Sequence, residues 1–474
     1  MNILFISTEA APFAKSGGLG DVIGSLPKEL LAQGIDVRVM LPLYRSIKQN
    51  PQYKMNFLRD FTLMLSWRTQ YCGIFEMKYE GVTFYFLDNE QYFGRDAYYG
   101  YDDDGERFAY YSKAALDVLP YLDFTPDILH CSEWQTALVP VYLKTLYKGK
   151  PEYDRLKTVF TIHNIEYQGK FDGGILQDLL GISEEYRGIL DYNGGMNYMK
   201  GAIVTCDKLT TVSPTYSEEI LYPFYGKGLE TIIQENQYKL SGILNGIDTK
   251  AFNPAQDNCL WAKYSKNTYI KKHANKSALQ EKLGLWQNED TPILAMIGRL
   301  TEHKGIDLVI RVFDELMAEN VQFVLLGTGE EKYEAFFKEK ARQYGDRISV
   351  TIGFSGELAN QIYAGADLFL MPSISEPCGL AQMISLRYGT IPIVRETGGL
   401  KDSIKAYDAA AGKGNGVTFA TVNAQDMLGA VKRALSFYQN KDQWERLVKN
   451  GMATDFSWKK SAKEYIKIYH SCLD

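Results

Sequence analysis

Lys15-Ser-Gly-Gly-Leu-Gly-Asp-Val22 is a glycine-rich stretch with one lysine, and its flanks decide how the chain folds. Before it stands Asn2-Ile-Leu-Phe-Ile-Ser7, a short apolar run with the composition of a buried parallel strand. After it, from Asp21 to Leu31, apolar residues recur at helical spacing and predict an amphipathic helix. Gly17, Gly18 and Gly20 thus fall in a strand-to-helix loop. Lacking side chains, they let backbone N–H groups approach an anion, the helix N-terminus adds partial positive charge, and Lys15 adds a full one. Such a loop suits phosphate. The same glycines would also serve a turn that only packs helix on sheet, and the stretch alone leaves both readings open. It does argue against a nicotinamide-dependent dehydrogenase. The glycines run G-G-x-G-x-x-x-G, not G-x-G-x-x-G, and Asp36 precedes the second strand where a ribose-binding acid would end it.

Bulk properties narrow the class further. A chain of 474 residues exceeds one ordinary core and predicts two domains. A net charge of −6 implies no broad basic surface, so no nucleic-acid partner is expected. No continuous apolar run approaches the roughly 20 residues that cross a bilayer, so no membrane partner is expected. The N-terminus lacks a basic region, and its apolar segment is broken at Glu9, which argues against a signal peptide and for a cytoplasmic location. The six cysteines and five histidines are scattered without metal-ligand spacing, so free thiols and no metal are expected. The 33 tyrosines are a mild hint of sugar binding, because an aromatic ring offers an apolar face and the hydroxyl a hydrogen bond.

Strand-like and helix-like segments alternate through the first half, as in a mostly parallel sheet covered by helices. Strands are predicted at Asn2–Ser7, Val37–Leu41, Thr83–Leu87, Ile128–Cys131, Thr158–Ile162 and Leu209–Val212, and helices at Gly105–Val118, Trp134–Tyr147 and Pro214–Leu221. Between about Pro51 and Asp104 the alternation is lost, which points to an insertion. A turn-rich passage at Leu240–Asp248 and a polar stretch to about Lys276 mark a domain boundary. The alternation then restarts at Ile293–Ile297 and runs to Ile391–Val394, with helices over Gln425–Tyr438 and Lys459–His470. Gly17-Gly-Leu19 is echoed by Gly398-Gly-Leu400, a three-residue match that fits either chance or equivalent strand-to-helix loops in two similar domains.

Chemistry-bearing residues collect at predicted strand ends, where open α/β sheets carry their ligands. Arg299 and Lys304 bracket a loop bounded by Gly298 and Gly305, and would offer a fork and a point charge to phosphate oxygens. Leu326-Gly-Thr-Gly-Glu330 follows the next strand, and Phe354 the one after, placed to stack on a base or to pack. Glu376, in Ser375-Glu-Pro-Cys-Gly-Leu380, stands where it could accept hydrogen bonds from sugar hydroxyls. In the first half, His163 and Asn164 end one strand, and Glu133 with Trp134 ends another.

Taken in order, these residues resemble the bacterial and plant glycogen/starch synthase family. The resemblance rests on Lys15–Val22, Gly100-Tyr-Asp-Asp-Asp-Gly-Glu-Arg-Phe108, Thr161-Ile-His-Asn164, Leu244-Asn-Gly-Ile-Asp248, Gly298-Arg299 with Lys304-Gly305, Glu376-Pro-Cys-Gly-Leu380, and Arg387–Val394 running into Glu396-Thr-Gly-Gly-Leu400. It implies a GT-B-type fold, two Rossmann-like domains facing each other across a deep cleft. Residues 1–244 would bind the acceptor, 245–455 the sugar nucleotide, and 456–474 would form a helix crossing back to the first domain. It implies a retaining glucosyltransferase that moves glucose from ADP-glucose to the non-reducing-end 4-hydroxyl of glycogen or another α-1,4-glucan, with no cofactor. By resemblance, His163, Arg299, Lys304 and Glu376 are catalytic; Lys15, Gly17, Gly18, Asp21, Asn164, Asn245, Phe354, Cys378, Gly379 and Leu380 bind substrate. Family members commonly carry Arg-Phe where this chain has Ile374-Ser375, and many carry Asp at the position of Glu133. A related two-domain enzyme using a UDP-sugar (a transferase or an epimerase) and a non-catalytic glucan-binding protein are the competing readings. Oligomeric state is not legible in the sequence.

Overall fold

Strand Asn2–Ile6 lies at the centre of a nine-stranded sheet, with Ile3 through Ile6 wholly buried. The computed structural model describes all of residues 1–474, and the chain divides into two units, Met1–Gly246 with Trp458–Asp474, and Ile247–Ser457. Across the first sheet the strands run Leu240–Gly242, Lys208–Thr211, Lys157–Ile162, Ile128–Ser132, Asn2–Ile6, Asp36–Pro42, Val82–Asp88, Arg68–Tyr79 and Asn56–Leu65. The first seven are parallel, with Ile3 opposite both Val37 and Ile128, and the last two form an antiparallel hairpin. The stretch that loses the βα alternation is therefore an extension of this sheet. In the hairpin, Leu63 and Leu65 are buried on either side of exposed Met64, and Cys72 and Ile74 are buried on the strand paired with it, as in a sheet covered on one face.

The helix after the glycine stretch covers Gly18–Ala32, three residues longer at its start than its apolar periodicity predicts. Val22, Ile23, Leu26 and Leu30 form its buried face. The C-terminal helix, Trp458–Leu473, belongs to this same unit and packs on Gly18–Ala32. Tyr469 Oη lies 2.7 Å from His130 Nδ1, while His130 Nε2 lies 2.6 Å from Thr161 Oγ1. Burial pushes the His130 pKa down to about 3, so this imidazole is a neutral bridge between sheet and helix. The predicted helix at Trp134–Tyr147 is a 3-10 turn, Trp134–Thr136, followed by a shorter helix, Leu138–Lys144.

The second unit holds six parallel strands in the order Ile348–Ile352, Gln322–Gly327, Ile293–Ile297, Leu368–Met371, Ile391–Arg395 and Val417–Phe419. Ala295 stands opposite Val324 on one side and Phe369 on the other. The polar stretch read as a boundary runs into a helix, Lys272–Lys282, in which Lys272 and Lys276 are buried. Lys276 pairs with Asp367 at 2.8 Å, and Lys272 donates to the carbonyls of Tyr363 and Ala364 at the end of helix Gly356–Gly365. The stems thus count as core: Asp367 neutralises Lys276, and the carbonyls satisfy the donors of Lys272. No helix is long and apolar enough to cross a membrane.

Counted in chain order, the second sheet reads 3-2-1-4-5-6, and the parallel part of the first sheet reads the same with a seventh strand added. Both are doubly wound Rossmann-like sheets. In each, connections leave the first strand to one side and later strands to the other, opening a crevice at the carboxyl ends where the order reverses. In the first unit that switch lies between Asn2–Ile6 and Ile128–Ser132. In the second it lies between Ile293–Ile297 and Leu368–Met371.

Candidate active site

The loops leaving the switch-point strands of the second unit carry Arg299, Lys304 and Glu376. Three short contacts bind them into one surface. Gly305, at φ +72°, lets its backbone approach Pro372 so closely that a Cβ there would lie 2.0 Å from the Pro372 carbonyl oxygen. The Ile374 amide donates to the His303 carbonyl at 2.8 Å. Lys304 Nζ lies 2.7 Å from Glu376 Oε2, which also accepts from Ser373 Oγ at 2.9 Å. Glu376 is buried. Burial alone would raise its pKa, but Lys304 and the Ser373 hydroxyl outweigh that and hold it below the usual carboxylate range. Read from the sequence, Lys304 and Glu376 address different parts of a donor; in the structure they hold each other. Arg299 differs from both: it is exposed and makes no hydrogen bond or ion pair, so its guanidinium is available to an anion.

The Gly398-Gly399 turn closes the same surface from the next strand. A Cβ at Gly398 would lie 2.0 Å from the Glu376 carbonyl oxygen, and one at Gly399 2.2 Å from that of Cys378. Glycine is required there by backbone packing. Cys378 is buried, Gly379 has φ +72°, and Leu380 caps helix Ala381–Arg387, so these three residues form the turn into that helix. Phe354 is 90% exposed. The buried Arg395 was not singled out by sequence reasoning. It donates to the carbonyls of Ser373 (2.9 Å) and Ile374 (2.5 Å), and so fixes the loop that carries Glu376.

In the first unit the switch point is organised by two buried carboxyl groups, those of Glu9 and Glu133. Glu9 accepts from the Ser16 amide (2.6 Å), the Ser16 hydroxyl (2.6 Å), the Gly17 amide (3.3 Å) and Tyr99 Oη (2.9 Å). It holds the glycine stretch in place, although the sequence marks it only as a break in an apolar run. Lys15 and Asp21 pair at 2.7 Å on the exposed side of that stretch. Gly17 and Gly18 have ordinary or extended backbones, and a Cβ at either would meet nothing within 4 Å. Neither packing nor backbone conformation demands glycine there, in contrast to Gly398 and Gly399. What remains is the open approach that glycine leaves to a ligand.

Glu133 has φ +66° and ψ 170°, a region that favours glycine. Its Oε1 accepts from the amides of His163 (2.5 Å) and Asn164 (3.0 Å), tying the end of one strand to the end of the next. Desolvation pushes its pKa up to about 8 against the pull of those two amides, and the Glu9 charge adds a smaller push upward. Desolvation also pushes the His163 pKa down to about 3, and its buried Nε2 has no partner. His163 is thus a neutral imidazole with one ring nitrogen free to bond. Asn245, whose Oδ1 is also buried and unpartnered, lies further along this unit. No group of three or more His, Cys, Asp or Glu is arranged to hold a metal ion.

Comparison with known proteins extends the picture. Residues 2–235 match the family model for the starch synthase catalytic domain, and residues 280–453 that for glycosyl transferases group 1. The chain is 50% identical to the glycogen synthase of Bacillus anthracis over 476 aligned residues that span both chains completely. It is likewise 50% identical to that of Geobacillus thermodenitrificans, covering 100% of this chain and 98% of the other. Among solved structures, the catalytic domain of starch synthase IV from Arabidopsis thaliana, bound to ADP and acarbose, superposes with a TM-score of 0.91 at 35% identity, covering 99% of each chain. Sucrose-phosphate synthase from Thermosynechococcus elongatus shares the fold, with a TM-score of 0.62 at 17% identity.

Two Rossmann-like units with polar, glycine-lined loops at both switch points define a glycosyltransferase of the GT-B type. Its relatives and its arrangement of motifs narrow the class to one that lengthens glucans. The chain belongs to the bacterial and plant glycogen/starch synthase family.

Proposed function

We propose that the chain transfers glucose from ADP-glucose to the 4-hydroxyl at the non-reducing end of an α-1,4-glucan, with retention at the anomeric carbon. The observation that carries this reading is the contrast between glycines: Gly17 and Gly18 stand open at one switch point, beside Lys15. Glucan binding alone needs no such phosphate cradle. Family membership, and the ADP and acarbose bound to the Arabidopsis relative, support the choice of donor and acceptor.

In this reading Arg299 and Lys304 stabilise the negative charge that develops on departing ADP, the electrostatic contribution expected to dominate the rate. Lys15, oriented by its pair with Asp21, and the Gly17–Gly18 amides serve the phosphates from the first unit, and Phe354 stacks on the adenine. Glu376, kept ionised by Lys304, accepts hydrogen bonds from glucose hydroxyls, with the Cys378–Gly379–Leu380 backbone beside it. Neutral His163 bonds the sugar as C1 becomes cationic, while Asn164 and Asn245 line its surroundings. The acceptor oxygen bonds to C1 as the C1–phosphate bond breaks, and the leaving phosphate oxygen takes the acceptor's proton. No protein nucleophile, cofactor or metal enters the step, and a cytoplasmic location goes with it.

Incubation with labelled ADP-glucose or UDP-glucose and glycogen tests the proposal. Label should enter polymer from ADP-glucose, and EDTA should leave the rate unchanged. No incorporation from either donor would overturn the reading. A loss in EDTA that divalent ions restore would overturn the metal-free step.

A further inference from the structure

The turn after His163 and Asn164 projects an aromatic ring that the reaction itself does not use. Asn164 Oδ1 accepts from the Glu166 amide at 3.0 Å, and the Asn164 carbonyl accepts from the Tyr167 amide at 3.3 Å. The turn they close leaves Tyr167 52% exposed. Gln168, buried beside it, donates to the carbonyls of Ile165 and Lys227, both at 3.1 Å, and accepts from Asn197 Nδ2 at 2.8 Å. The reaction-centre turn and the distant turn at Tyr222–Gly228 are thereby held in fixed relation. Lys227 adopts φ +53°, an uncommon conformation for a side chain of its size, and places Nζ 3.2 Å from Glu166 Oε2 and 5.9 Å from the centre of the Phe224 ring. Phe224 is itself 60% exposed.

Exposed Phe224 thus stands near the Lys227 end of an ion pair whose Glu166 end precedes exposed Tyr167 in the chain, all on one hydrogen-bonded frame that begins beside His163 and Asn164. Isolated exposed apolar residues need no explanation. Here, though, the rings offer apolar faces for the C–H side of a pyranose, and Glu166 and Lys227 offer an acceptor and donors for its hydroxyls. We propose that Tyr167, Phe224, Glu166 and Lys227 form a subsite for the acceptor chain, gripping an α-glucan a few glucose units away from the end that reacts. The proposal rests on the glucan-extending reading above and adds to it a preference for longer acceptors.

The test compares acceptor KM for maltose and for maltoheptaose at saturating donor, with retardation in native gels containing glycogen measured separately without donor. In the wild type, lengthening the acceptor lowers KM. In Tyr167→Ala and Phe224→Ala that gain should shrink by roughly three- to tenfold, about what one aromatic stacking face contributes. Tyr167→Phe, which keeps the ring, should retain the gain. An undiminished gain in both alanine variants, with glycogen retardation equal to the wild type, would overturn the subsite. If the wild type transfers no glucose at all, the glucosyltransferase reading fails, and the gel without donor still decides: equal retardation of wild type and variants refutes the subsite, and weaker retardation of folded variants supports it.

Discussion

Replacing Glu133 with glutamine isolates the most perturbed carboxyl group at the first switch point. Glu133 titrates near pH 8 in the folded chain and near the ordinary glutamate value of 4.5 when unfolded. Between those values the folded chain holds a proton that the unfolded chain has released. The stabilisation tied to that proton is complete below about pH 4.5 and is lost as pH rises through 8. At about 1.4 kcal/mol per pH unit, the window corresponds to about 5 kcal/mol. For a unit of this size that is on the order of 10 °C in melting temperature. Glutamine cannot titrate, yet its Oε1 can accept from the His163 and Asn164 amides as the native carboxyl does. Melting followed from pH 5 to pH 9 should therefore show the wild type losing roughly 10 °C relative to Glu133→Gln, with the divergence centred between pH 6 and 8. Transfer activity should follow the same course, the wild type declining through pH 8 while the variant holds. Parallel melting curves across this range would refute the argument that Glu133 is buried and protonated at neutral pH.

Two further substitutions test the second switch point and the glycine stretch. Lys304→Met leaves Glu376 buried without its counter-charge, and turnover should fall roughly 10²- to 10³-fold, as when one transition-state donor is removed, while glycogen retardation in gels is preserved; equal losses in turnover and glucan binding would contradict a phosphate role. Gly18→Ala should leave the stability unchanged or raise it by up to about 1 kcal/mol of helix propensity, yet raise donor KM. Gly399→Ala, whose Cβ would sit 2.2 Å from a carbonyl oxygen, should destabilise by about 1–3 kcal/mol. A Gly18→Ala variant with unchanged donor KM would remove the argument for ligand approach.

Much of the fold was legible because hydrophobic periodicity is local: alternating buried runs and amphipathic stretches mark most strands and helices within a few residues. Departures arose where tertiary contacts override composition. Helix Lys272–Lys282 looks like a polar linker because Lys276 is buried by pairing with Asp367 and Lys272 by bonding backbone carbonyls. Strands Asn56–Leu65 and Arg68–Tyr79 look like an insertion because an antiparallel edge breaks the βα rhythm without leaving the sheet. The helix that starts at Gly18 shows its periodicity only from Asp21 because glycines carry no periodic signal.

The candidate site divides in the same way. From the sequence alone come the residue types at strand ends, the glycine stretch with its echo at Gly398, and the ordered motifs of the family, all carried by neighbours in the chain. Only the tertiary structure decided how they are held. Glu9 reaches the Ser16 and Gly17 amides, Glu133 bridges to His163 and Asn164 thirty residues on, and Lys304 pairs with Glu376 across 72 positions. It also separated two glycine pairs that read alike, one held open beside Lys15 and the other pressed against the backbone of Glu376 and Cys378. The physical reason is range. Propensity and periodicity act over a few residues, whereas a buried carboxylate or a close backbone contact depends on which strands the sheet order makes neighbours.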